Sequence, residues 1–206
     1  SMNTPVRGEA QAVGASRPAV RDGRLVALRR LAMCVAVLAV AQKATPALGQ
    51  VYITEWMYDG NGGGFVEFTN LGGERGDLTG WSFDDEARLP GTFDLSGFGL
   101  VPPGVSVVVA ESTASTFISD WGLSDIAVIG GLGNVLDQDD EINLYDAQDA
   151  LVDRLTYGVN AFPGTINTLS ESGVPISAPA LGANDVAQWQ LASSGSGSWQ
   201  SASGDN

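Results

Sequence analysis

The stretch from Phe65 to Asp85, F-V-E-F-T-N-L-G-G-E-R-G-D-L-T-G-W-S-F-D-D, decides the reading of the whole chain. It holds two short strand patterns separated by a polar, glycine-rich connection. Val66 and Phe68 fall on one face of the first, and Trp81 and Phe83 on one face of the second, as a period of two requires. Glu67 and Asn70 punctuate the first strand. Gly72-Gly73 and Gly76-Asp77 then break the chain before it re-enters a sheet. Residues of these kinds build sheets, and nothing among them forms a catalytic grouping.

Working outward, Val51 to Tyr58 (V-Y-I-T-E-W-M-Y) is a β-branched and aromatic strand. Asp59 to Gly64 (D-G-N-G-G-G) is a turn that makes Phe65–Asn70 its hairpin partner. Downstream, Phe93 to Leu100 reads as a weaker strand. Val101-Pro102-Pro103-Gly104 is a turn, because neither proline has an N–H for a ladder, and Val105 to Ala110 is a strand. One short helix follows, with Ser112 and Thr113 as caps, Phe117, Ile118 and Trp121 at helical spacing and Gly122 past its end. Ile126–Ile129, Glu141–Tyr145 and Leu151–Tyr157 are later strands, the last two joined by Asp146–Asp149. Asn160–Ala183 reads as irregular, Val186–Leu191 as a last strand, and Ser193–Asn206 as loose, with 201–206 a disordered tail. Short strands about 8–14 residues apart, with Gly and Pro between them, predict an all-β sandwich over residues 50–200.

The charge distribution divides the 206-residue chain. Seven of its ten basic residues precede residue 50, while only Glu9 and Asp22 of its 24 acidic residues do. From residue 50 onward three arginines (Arg75, Arg88, Arg154) face 22 carboxylates, a net charge of −19. The leader, 1–49, carries Arg24, Arg29 and Arg30, an apolar run from Leu31 to Ala41, and Ala47-Leu48-Gly49 before Gln50. This is the basic, apolar, small order of a signal peptide, and it predicts a secreted or cell-surface protein cut at Gln50. The run of eleven apolar residues is well short of the roughly 20 that span a bilayer. Cys34, the only cysteine, lies inside that run, so the mature chain has no thiol chemistry. Leu31-Ala32-Met33-Cys34 lacks the small residue that a lipoprotein site places before its cysteine.

The absence of histidine and of any later cysteine excludes Ser–His–Asp and Cys–His nucleophiles and the usual zinc sites. Glu55 and Glu67 are the best carboxylate pair for glycoside hydrolysis, and their plain reading is hairpin neighbours, hydrogen-bonded or solvated. Asp137-Gln138-Asp139-Asp140-Glu141 concentrates oxygen ligands that suit calcium. As an EF-hand loop it fails, with Ile142 where glycine is needed and Gln148 where glutamate is. Asp59-Gly60-Asn61 fails likewise, with Asn70 at the last position. Asp153 shares parity with Leu151, Leu155 and Tyr157; on a core face its carboxylate must find backbone N–H partners. Trp56 and Trp81 read as core or sheet-face residues, and Trp121, Trp189 and Trp199 as packing anchors or a ligand platform. No catalytic, cofactor or metal residue is assigned. The negative charge argues against nucleic acid or anionic membrane as a partner.

Several ordered motifs resemble one family. Tyr52–Trp56 (Y-I-T-E-W), Phe65–Asn70, Asp77–Asp85 (D-L-T-G-W-S-F-D-D), Leu100–Gly104 (L-V-P-P-G), Asp140–Asp146 (D-E-I-N-L-Y-D), Leu151–Tyr157 (L-V-D-R-L-T-Y) and Ser198–Gln200 (S-W-Q) are similar to the lamin-tail domain in its bacterial, extracellular version. The resemblance implies an immunoglobulin-like sandwich. It also implies a non-catalytic module for protein or matrix interaction, often placed beside secreted nucleases or other enzymes. The chain lacks the rod heptads and basic patch of nuclear lamins. Two alternatives remain open on the residues: a calcium-assisted carbohydrate-binding module, or the accessory domain of a larger secreted enzyme.

Overall fold

The computed structural model describes residues 50–133, 136–192 and 200–206, all within the compact unit Lys43–Asn206. The leader, its apolar run, Cys34 and Trp199 lie outside the described residues. In chain order the elements are β1 (Val51–Met57), β2 (Phe65–Asn70), β3 (Gly76–Asp77), β4 (Ser82–Asp84), β5 (Phe93–Asp94), β6 (Leu100–Val101), β7 (Ser106–Ala110), α1 (Ala114–Asp120), β8 (Ala127–Gly130), β9 (Asp140–Tyr145), β10 (Leu151–Tyr157), β11 (Gly173–Pro175) and β12 (Trp189–Leu191). A six-stranded sheet, β12-β11-β1-β2-β7-β8, packs on a four-stranded sheet, β10-β9-β4-β5, with β3 and β6 as a separate ribbon. The result is the expected immunoglobulin-like sandwich, with one short α-helix among the described residues.

The stretch 65–85 is where the chain changes sheets. β2 pairs with β1 and β7, whereas β4 pairs with β5 and β9 in the opposite layer. Phe68 and Phe83 meet across the interior with ring centroids 6.0 Å apart. Asn70, fully buried, fixes the exit from β2. Its side-chain amide donates to Glu74 O and Val101 O, both at 2.8 Å, and its Oδ1 accepts from Gly72 N at 3.0 Å. A buried amide satisfied in this way costs little and holds the glycine connection in one path.

Around β7 both faces of the larger sheet are covered, which is why this strand is nearly continuous in valine. Val107 and Val109 face the sandwich interior. Val108 and Ala110 face outward with Met57 and Phe65, under Phe117 and Trp121 of α1 and its C-terminal turn. The helix starts as read, with the Thr113 hydroxyl accepting from Thr116 N at 3.2 Å. β8 then runs parallel to β7.

The structure corrects several expectations. Phe93–Leu100 is not one strand. Asp94 Oδ1 accepts from Ser96 N at 2.8 Å, and Ser96–Phe98 curls into a 3₁₀ turn that separates β5 from β6. Val101 is not only a turn residue, since it pairs with Gly76. The irregular region 160–183 contains β11, and Val186–Leu191 is half strand, because Asp185 caps a 3₁₀ turn at Val186–Gln188 before β12. Leu151 is 47% exposed rather than inward, because the β9–β10 register shifts between Leu151 and Asp153 and reverses its face.

Residues 201–206, read from sequence as a disordered tail, are held in place. Asp205 is fully buried and Ser201 nearly so. Asn206 N donates to Ser170 O at 3.1 Å, Ser172 N donates to Asn206 O at 2.6 Å, and Ala202 N donates to Asp120 O at 2.7 Å. The segment is thereby tied both to α1 and to the approach to β11.

Candidate functional site

Asp153 is the clearest of the expected polar positions. Its Oδ2 accepts from Ile53 N of β1 at 2.9 Å and its Oδ1 from Arg154 N at 2.7 Å. Ile53 adjoins a register shift in β1, so the carboxylate links β10, an edge strand of the smaller sheet, to β1 of the larger one. Burial pushes the Asp153 carboxyl up to about 6, against the pull of these two amides. This is the structural role that its strand parity suggested. One further amide on this edge of β10, Thr156 N, is taken by Asn184 Oδ1 at 2.7 Å.

Glu55 and Glu67 face each other directly across β1 and β2. A hydroxyl network surrounds them on the outer face of the sheet. Glu67 Oε1 accepts from Thr54 Oγ1 at 2.5 Å and Thr69 Oγ1 at 3.2 Å; Thr54 and Thr69 are 2.7 Å apart, and Thr69 and Ser106 are 2.8 Å apart. Glu55 accepts from the Ser172 hydroxyl. Burial, with the Glu67 charge adding to it, raises the Glu55 carboxyl to about 7, although the Ser172 bond favours its charged form. The pair is therefore built into the hydrogen bonding of the sheet.

The acidic stretch 137–141 points in several directions. Asp139 Oδ1 accepts from Asn160 N at 2.8 Å and Ala161 N at 3.1 Å. Asp140 accepts from Glu86 N at 3.1 Å, Glu141 N at 2.6 Å and Asp137 N at 3.1 Å. Burial pushes the Asp140 carboxyl up, and its interaction with Glu86 adds to that. Glu141 lies beneath Arg88, whose Nη2 approaches to 2.5 Å, with Arg154 Nε at 3.7 Å. The Arg88 hydrogen bond draws the Glu141 carboxyl down to about 2. Among the described residues no three acidic side chains gather as a metal cluster. Trp56, Trp81, Trp121 and Trp189 are all buried; Trp121 and Trp189 are packing anchors, not a platform.

Sequence reasoning missed a concave feature among the described residues. A cleft of about 510 Å³ is lined by Asn61 and Gly62 of the β1–β2 turn, Ser115, Ser119 and Asp120 of α1, and Ser203. Asp120 accepts from Ser203 N at 2.9 Å and from its hydroxyl at 2.5 Å. Asp205 Oδ1 accepts from Asn61 N at 3.0 Å and Nδ2 at 3.2 Å, and its Oδ2 from Gly62 N at 3.0 Å. The glycine turn thus presents successive backbone amides to a carboxylate, as anion-holding turns do. No local signal marks the Asp205 carboxylate, because the groups that donate to it lie more than 140 residues away. The cleft offers hydroxyls, amides and one carboxylate, suited to hydrogen bonding with a polar surface.

Comparison with curated proteins finds no match for this chain. A family does match: the pattern of the Lamin Tail Domain fits residues 44–159, which takes in every strand from β1 to β10. The match stops short of residues 160–200, which the sequence resemblance also takes in, so β11, β12 and the 200–206 segment lie beyond it. The family is one of non-enzymatic, immunoglobulin-like domains, in keeping with the two-layer architecture and with carboxylates spent on structural hydrogen bonds. The match covers more than half of the 206 residues, and the chain belongs to the lamin tail domain family.

Proposed function

We propose that this chain is an exported, non-catalytic module of a bacterial protein that binds a protein or surface polymer outside the cell or at its surface. The observation that carries this reading is the use made of the acidic side chains. Asp153, Glu55, Glu67, Asp139, Asp140 and Glu141 each accept hydrogen bonds that hold the sandwich together, so the best candidates for acid–base work serve the fold. The basic, apolar and small order of residues 24–49 supports export. Arg88 and Arg154 both lie against Glu141, which leaves Arg75 as the one arginine outside an ion pair among the described residues. A phosphate backbone or anionic membrane therefore finds little to bind. The module also suits service as an accessory domain of a larger secreted enzyme.

A carbohydrate reading has one observation in its favour, the hydroxyl-lined cleft. A glycan array probed with and without calcium separates the two. We expect no calcium-dependent glycan signal, and a reproducible one lost on chelation would shift the reading to sugar binding. Mass spectrometry of exported protein should find its N-terminus at or near Gln50. Retention of the residues ahead of it would remove the export part.

A further inference from the structure

The turn Asp59–Gly64 contains the step Asn61-Gly62, and Asn61 is exposed. Glycine has no side chain to hinder its backbone nitrogen, so an Asn-Gly step is the sequence most open to attack of that nitrogen on the preceding side-chain amide. Here a single carboxylate touches both atoms that such an attack would change. Gly62 N, the nucleophile, donates to Asp205 Oδ2 at 3.0 Å. Asn61 Nδ2, the leaving group, donates to Asp205 Oδ1 at 3.2 Å. Asp205 is itself buried and anchored, with its N donating to the Ser201 hydroxyl at 3.0 Å and its carbonyl accepting from Ser201 N at 2.8 Å.

We propose that Asn61 is a self-modification site at which Asp205 promotes deamidation. Asp205 Oδ2 takes the proton from Gly62 N, and that nitrogen forms a bond to Asn61 Cγ. The Cγ–Nδ2 bond breaks, the proton held by Asp205 passes to Nδ2, and ammonia leaves. A five-membered imide joins residues 61 and 62, and water opens it to aspartate or isoaspartate. Nothing is oxidised or reduced, and Asp205 is restored as the carboxylate. The product loses the bonds from Nδ2 to Ser203 O, at 3.1 Å, and to Asp205. A carboxylate then faces a carboxylate, which loosens the hold of the turn on residues 200–206 even where the backbone amides of residues 61 and 62 still donate to Asp205.

The test is a time course of the full chain by peptide mapping, for wild type, Asp205→Asn and Asn61→Gln. Wild type should accumulate deamidated product at residue 61. Asp205→Asn, which keeps shape but is no base, should be several-fold slower, and Asn61→Gln should stay unmodified. A wild type that remains intact, or an Asp205→Asn protein that reacts as fast or faster, overturns the proposal. A second measurement needs no variant at Asp205. Carboxylate catalysis makes the wild-type rate nearly level across neutral pH, whereas a rate rising in proportion to hydroxide means that Asp205 plays no part. Hydrogen exchange on Asn61→Asp should show residues 200–206 opening more readily than in wild type; equal protection would overturn the link to the cleft.

Discussion

One carboxylate, that of Asp153, serves two strands from different sheets, and its removal should therefore cost more than a surface substitution. Asp153→Ala leaves the Ile53 and Arg154 amides without their acceptor in a buried setting. We expect a loss of about 1–3 kcal/mol, and a smaller one for Asp153→Asn, which keeps an acceptor. Urea unfolding measures both, and an alanine variant as stable as wild type would show that water replaces the carboxylate there. Asp153 is legible from sequence because its parity with Leu155 and Tyr157 puts a charge on a core face, which demands partners. Asp205 is as deeply buried yet carries no such signal. It sits among small polar residues, and nothing local shows that the turn at Asn61 closes over it.

Among the elements, the β1–β2 hairpin and α1 are readable because propensity, turn residues and partner lie within a few residues of one another. β11 is not: Gly173-Val174-Pro175 combines a glycine, a proline and one valine, and its partner β1 is more than a hundred residues earlier. What selects it is a shape. Gly173 lies opposite Trp56 in the pairing of β1 and β11, and a Cβ at Gly173 would come within 2.5 Å of the Trp56 ring. Trp56 in turn packs on Trp189 and Tyr157, at 4.9 and 5.2 Å between centroids. Gly173→Ala should thus destabilise by about 1–3 kcal/mol through overpacking. Trp fluorescence should shift with it, as Trp56 and Trp189 separate. Unchanged stability and emission would mean that β11 moves aside without cost. The 3₁₀ turn after β5 is hidden for a related reason: Asp94 and two glycines outweigh the strand propensity of Phe93 and Leu95.

For the whole molecule, pH is the variable that its buried carboxyls control. The Glu55 carboxyl lies at about 7 and that of Asp153 at about 6, against about 4 for such groups in an unfolded chain. The native state therefore binds more protons between those values. The stability these groups contribute is fully present below about pH 4 and is lost as pH rises through 6 and 7. Glu141, drawn down to about 2, works the other way, and its contribution disappears as pH falls toward that value. The optimum should lie near pH 4–5, with a melting temperature several degrees above that at pH 8. Glu55→Gln should flatten the fall between about pH 5 and 8, and a melting temperature that rises over that range would contradict the assignment. The occupied edge of β10 has a consequence of another kind. Exposed strand edges are where folded proteins join one another into aggregates. With Arg154 N turned to Asp153 and Thr156 N to Asn184, this edge has two fewer amides to offer a neighbour's strand. Copies crowded together should find that route to polymerisation obstructed, and their shared negative charge holds them further apart.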